Sequence, residues 1–87
     1  MATVKQTIPG AGWTRLSQNK TLLLEIDGGG AVFAHIAETA ATALTLTDAT
    51  PGHFLDMSTP LSLGAAGYDV YVRAAHGVPV NLIYTAI

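Results

Sequence analysis

The chain contains no cysteine. That removes every disulfide staple and every thiolate metal site. Charge is nearly as scarce, at 11% Asp, Glu, Lys and Arg against about 25% in an ordinary soluble domain. The four basic residues, Lys5, Arg15, Lys20 and Arg73, are scattered, and the net charge is −2 with neutral histidine. Such a balance cannot supply the basic stripe that nucleic acid requires. No apolar run approaches the ~20 residues of a membrane span, so the reading is no nucleic acid and no membrane. The first residues, MATVKQTIPG, lack the apolar segment of a secretory leader, which predicts a protein made and kept in a cytoplasm until it assembles. Asn19-Lys20-Thr21 matches a glycosylation sequon, but without secretion the match carries no consequence.

Catalytic and cofactor chemistry is missing as well. The three histidines show neither H-x-H nor H-E-x-x-H spacing. His53 and Asp56 lie three apart, which on a strand sends them to opposite faces. Ser17, Ser58 and Ser62 have no G-x-S-x-G elbow around them. Glu25 and Asp27 share a strand face beside a turn, where a solvated tip is the plain reading and a bound cation or sugar the sharper one. Gly28-Gly29-Gly30 is followed by a strand pattern, whereas a phosphate loop opens a helix. No enzyme, cofactor or metal is expected.

Present instead is alternation. At 87 residues there is room for one domain, which buries roughly 60% of its unfolded surface. Residues 1–12 end in the breaker cluster Pro9-Gly10-Ala11-Gly12 and read as a flexible N-terminal arm, leaving 13–87 as the folded domain. Trp13–Gln18 predicts a short first strand. Leu22, Leu24 and Ile26 alternate with Leu23, Glu25 and Asp27, and Val32, Ala34 and Ile36 alternate with Phe33 and His35. Two such runs joined by three glycines read as a β-hairpin. Within 37–50, Glu38–Leu44 allows a helical turn, while Thr42–Thr47 favours a short strand. Pro51-Gly52 marks a turn, followed by short strands over His53–Met57 and from Leu61. Tyr68–Ala74 and Val78–Thr85 complete the set, with Ala75-His76-Gly77 as a hairpin turn between them. About seven short antiparallel strands at this spacing predict an all-β chain, a small β-sandwich or barrel.

Several strands are apolar on both faces. Leu23, Phe33, Tyr71 and Ile83 stand opposite the presumed core residues, which suits burial in an interface. Low charge makes the remaining surface easy to desolvate, so a homo-oligomer or a docked subunit is expected. Aromatic residues tend to carry interface energy, and Trp13, Phe33, Tyr71 and Ile83 are the interface candidates. An alternative is that Trp13, Phe33, Tyr68, Tyr71 and Tyr84 form a stacking platform for sugars.

The order of segments is a Gly-rich pair of strands (Leu22–Ile36), an Ala/Thr-rich link, Thr50-Pro51-Gly52-His53-Phe54-Leu55, Pro60-Leu61-Ser62-Leu63 and Asp69-Val70-Tyr71-Val72-Arg73-Ala74. Over residues 20–85 this resembles small β-sandwich virion proteins of tailed bacteriophages and prophages. The resemblance implies a non-enzymatic capsid decoration or cement protein, assembled in the host bacterial cytoplasm and located in the virion. Its partners would be the major capsid protein or another virion protein, and further copies of itself, with a trimer among the arrangements such proteins use. The alternative is a receptor- or carbohydrate-binding β-module of a tail fibre or adhesin, with the aromatics and the Glu25/Asp27 tip as contact groups.

Overall fold

The computed structural model describes residues 3–39, 46–47, 50–56 and 60–86. Eight strands lie among them: β1 (Thr3–Ile8), β2 (Thr14–Ser17), β3 (Leu22–Asp27), β4 (Val32–Glu38), β5 (His53–Leu55), β6 (Leu61–Leu63), β7 (Tyr68–Ala74) and β8 (Val80–Ala86). The described residues contain no helix. The period of two decides which side chains go inward. Leu22, Leu24 and Ile26 of β3, Val32 and Ala34 of β4, Val70, Val72 and Ala74 of β7, and Val80 and Leu82 of β8 are all buried in one cluster. Their alternate neighbours face away from it.

The strands form two antiparallel sheets, β1-β8-β3-β6 and β2-β7-β4-β5. The winding follows from the pairings. β1 pairs with β8, β2 with β7, β3 with β6 and β4 with β5, as they would in one long hairpin folded back at the β4–β5 connection. Rolling that hairpin brings β3 against β8 and β4 against β7, which completes two four-stranded sheets. This is the winding of an eight-stranded jelly roll. The result is a slab 34 × 32 × 16 Å, with one thin core between the sheets.

Three expectations change. Residues 3–8 are not an arm: β1 pairs along its whole length with β8, from Thr3↔Thr85 to Ile8↔Val80. Ile8 is 0% exposed and belongs to the core. Eight strands thus lie among the described residues, β1 being one that the sequence reading did not include, and the folded domain begins before Trp13. The pattern was hard to see because Gln6 occupies an inward position, where its Oε1 accepts a hydrogen bond from the Tyr84 hydroxyl at 2.6 Å.

The second change concerns the glycines. β3 and β4 do not pair with each other; they lie in different sheets. Gly28, Gly29 and Gly30 all have positive φ (83°, 94° and 103°), a run open only to residues without a Cβ. They carry the chain from one sheet to the other. The Ala75-His76-Gly77 turn does the same between β7 and β8, so His76 is not in a hairpin. The third concerns the ends of segments. β2 is Thr14–Ser17, with a register shift between Arg15 and Ser17 that buries Leu16 and Ser17 side by side. β5 ends at Leu55; Met57, Ser58 and most of the expected Thr42–Thr47 strand lie outside the described residues.

The four sheet edges differ. β5 and β6 have three residues each and β2 has four with a bulge. Short length and bulges are the usual means of blunting an edge. β1, with six regular residues, is the longest edge.

Candidate functional site

The register sorts the interface candidates. On the first sheet, Thr3, Lys5 and Thr7 of β1 stand opposite Thr85, Ile83 and Asn81 of β8, which in turn oppose Leu23, Glu25 and Asp27 of β3. These positions alternate with core residues and form the outer face. Its polar groups satisfy one another. The Thr3 and Thr85 hydroxyls lie 2.7 Å apart, Thr7 Oγ1 donates to Asn81 Oδ1 at 2.6 Å, and Lys5 Nζ reaches Asp27 Oδ2 at 2.9 Å. Leu23, 41% exposed, and Ile83 are its apolar members.

The outer face of the second sheet is built from other chemistry. His35 and Phe33 of β4 oppose Tyr71 and Arg73 of β7. Arg15 of β2 opposes Tyr71 from the other side, and Phe54 of β5 opposes Phe33. Trp13, just before β2, reaches over this surface. The Arg73 Cζ lies 5.4 Å from the Trp13 ring centroid and 4.9 Å from that of Phe33. Phe33 packs edge-on against Phe54 at 5.6 Å, Phe54 against His76 at 6.2 Å, and Trp13 against His35 at 6.0 Å. Each cation–π or aromatic contact is worth on the order of 0.5–1.5 kcal/mol. These contacts link Trp13, His35, Arg73, Phe33, Phe54 and His76 into one chain that crosses the sheet from the start of β2 to β5 and stiffens it.

The segment before β5 fixes this surface further. Trp13 Nε1 donates to the Thr47 carbonyl at 2.9 Å, and His35 Nδ1 lies 2.9 Å from the Pro51 carbonyl. Because a carbonyl only accepts, His35 carries its proton on Nδ1. Gly52 passes so close that a Cβ there would stand 2.9 Å from the Phe33 Cβ and 3.2 Å from Cη2 of Trp13. A glycine is required for that approach. An open cavity of about 270 Å³ lies under this segment, lined by Ala34, His35, Ile36, Pro51, Gly52 and His53. It is slightly smaller than the roughly 300–1,000 Å³ of small-molecule sites.

At the far end of the same sheet, Asp69 is 4% exposed. Its Oδ1 accepts from the Asn19 backbone N–H at 3.0 Å and from the Thr39 hydroxyl at 2.5 Å. The Asn19 side chain accepts from Gly67 N–H at 2.5 Å. Asn19 has a φ of 57°, a left-handed conformation that asparagine tolerates better than most residues. The carboxylate is thus consumed by the loops that close this end of the sandwich.

The interface candidates consequently divide. Trp13, Phe33 and Tyr71 share the outer face of the second sheet, while Ile83 lies on the opposite side of the slab. The proposed stacking platform divides too: Tyr84 faces the core and donates to Gln6, and Tyr68 stands opposite Glu38 on the other parity of β7. Glu25 and Asp27, joined with the aromatics in the sugar-binding expectation, lie on the far face. Sequence reasoning missed Phe54, His35, Arg15 and Arg73 as members of the aromatic surface. Alternation did place Phe33 with His35 and Tyr71 with Arg73, but the β4–β7 register needed to merge those pairs is a long-range pairing.

No protein family, curated protein or solved structure matches this chain.

Proposed function

We propose that the chain is a non-catalytic structural subunit that docks onto a larger protein assembly through the outer face of its second sheet, in the manner of a tailed-phage capsid decoration or cement protein. The observation that carries this reading is the surface of Trp13, Phe33, Phe54, Tyr71, Arg15 and Arg73. Aromatic residues and arginine are the residue types enriched where interfaces hold their binding energy. Trp13, Phe33, Phe54 and Arg73 are pre-positioned by ring contacts, and Trp13 also by its hydrogen bond to the Thr47 carbonyl, so these side chains have less entropy to lose on docking. Phe54, 50% exposed, is the ring most available to a partner.

The low charge and the jelly-roll winding agree with this reading. Jelly rolls recur in capsid proteins, and also in lectins, so the fold alone does not choose. Self-association is part of the proposal, with β1 as the edge best able to pair with a second copy. Light scattering across micromolar concentrations is expected to give a mass above that of one chain. Co-sedimentation with capsid shells of the phage or prophage whose genome encodes the chain is expected to saturate. A monomer that leaves such shells bare, or a gene lying among no virion genes, contradicts the proposal.

A further inference from the structure

Resting on that reading of the second sheet's outer face, we infer that Arg73 is the receiving group for a carboxylate of the docked partner, supplied by an Asp or Glu side chain on an acidic segment. Three observations converge on it. The guanidinium is held between two rings, with Cζ 5.4 Å from Trp13 and 4.9 Å from Phe33. A guanidinium seated on aromatic faces can still offer its terminal N–H groups to a carboxylate. The Nε of Arg73 is buried and has no hydrogen-bond partner. An unpaired buried donor is rare, and here it shows that no acceptor among the described residues claims the Nε of this guanidinium.

The third observation is the charge balance of the face. Among the described residues the single ion pair is Lys5–Asp27, on the opposite sheet. Arg15 and Arg73 are two of the chain's four Lys and Arg residues, and both stand on the second sheet's outer side. The acid that shares this parity of β7, Asp69, is occupied by Asn19 and Thr39. Among the described residues, neither arginine of this face forms an ion pair with a carboxylate of the chain. A planar, ring-stacked arginine fits a carboxylate in bidentate geometry. Two arginines are too few for the phosphate backbone of a nucleic acid.

The chain has one tryptophan, Trp13, so its indole N–H signal reports on this site alone. In ¹⁵N NMR titrations, an acetylated tetraglutamate amide peptide is expected to shift the Trp13 indole and Arg73 Nε–H signals saturably. The tetraglutamine peptide is expected to bind at least about tenfold more weakly, a difference of about 1.4 kcal/mol. Arg73→Gln is expected to abolish the response and Arg73→Lys to weaken it several-fold, while Arg15→Gln weakens it less than either. Far-UV circular dichroism checks that each variant is folded.

Equal binding of the two peptides, no response to either, or tighter binding of inorganic phosphate than of tetraglutamate overturns the inference, as does a folded Arg73→Gln protein that still responds. The docking reading fails separately. If shells bind wild type and reject Phe54→Ser while the peptide titrations fail, the face is a docking surface without a carboxylate receptor. If Phe54→Ser binds shells like wild type, the docking face itself is wrong.

Discussion

The two outer faces of this sandwich are made by the same alternation and lie on equivalent sides of one core, yet they end in opposite states. On the first sheet, hydroxyls, an amide and one exposed ion pair answer one another across the strands. That surface is complete in water. On the second sheet, rings touch rings, two arginines have no acid partner among the described residues, and a donor is left buried and unpaired. That surface is rigid but unfinished. The same alternation therefore does not give the two faces the same role; what separates them is whether their polar groups are satisfied within the fold.

Breaking the second face should cost far more stability than breaking the first. Trp13→Ala removes a half-buried ring, its contacts with Arg73 and His35 and the hydrogen bond to Thr47. A loss of about 2–4 kcal/mol in urea unfolding is expected, toward the lower end of aromatic truncations in full cores. Gly52→Ala tests how closely the backbone at Gly52 lies on the rings. The added carbon would meet the Phe33 Cβ at 2.9 Å, and overpacking of this kind costs about 1–3 kcal/mol. The same variant should shift the Trp13 indole signal, because its ring tip is the next atom met.

The smallest effect belongs to the first face. Lys5→Met breaks an ion pair whose side chains are 62% and 40% exposed, so salt and water already screen it. A change of no more than about 0.5–1 kcal/mol is expected, shrinking further in high salt. A larger loss would mean that the first face is also held together by more than solvent-exposed polar contacts.

How much of this was legible in the sequence depends on the range of the interaction. The inward sets Leu22/Leu24/Ile26 and Val70/Val72/Ala74 could be read directly, since a period of two needs only neighbouring residues. β1 was hidden because its inward row is Val4, Gln6 and Ile8, and the polar member is tolerated through a bond to Tyr84 at the other end of the chain. The glycines after Asp27 were legible as a turn. Whether that turn closes a hairpin or crosses between sheets depends on which strand each run finally meets: β3 meets β8, and β4 meets β7. For the same reason Phe33 and Tyr71 could be named as outward residues, while Arg73 between Trp13 and Phe33 could not. Ile83 could be named as outward too, but outward parity alone does not say which of two sheets a strand joins, and its strand joins the first.

The most direct test of the central claim compares Phe54→Ser, on the second face, with Ile83→Ser, on the first, in co-sedimentation with the capsid shells that the proposed function names as the docking partner. Both substitutions exchange an outward apolar side chain for a small polar one. The account predicts that Ile83→Ser binds like wild type, while Phe54→Ser loses at least about tenfold in affinity, or about 1.4 kcal/mol. Loss of binding by Ile83→Ser with retention by Phe54→Ser would contradict it and move the docking surface to the other side of the sandwich.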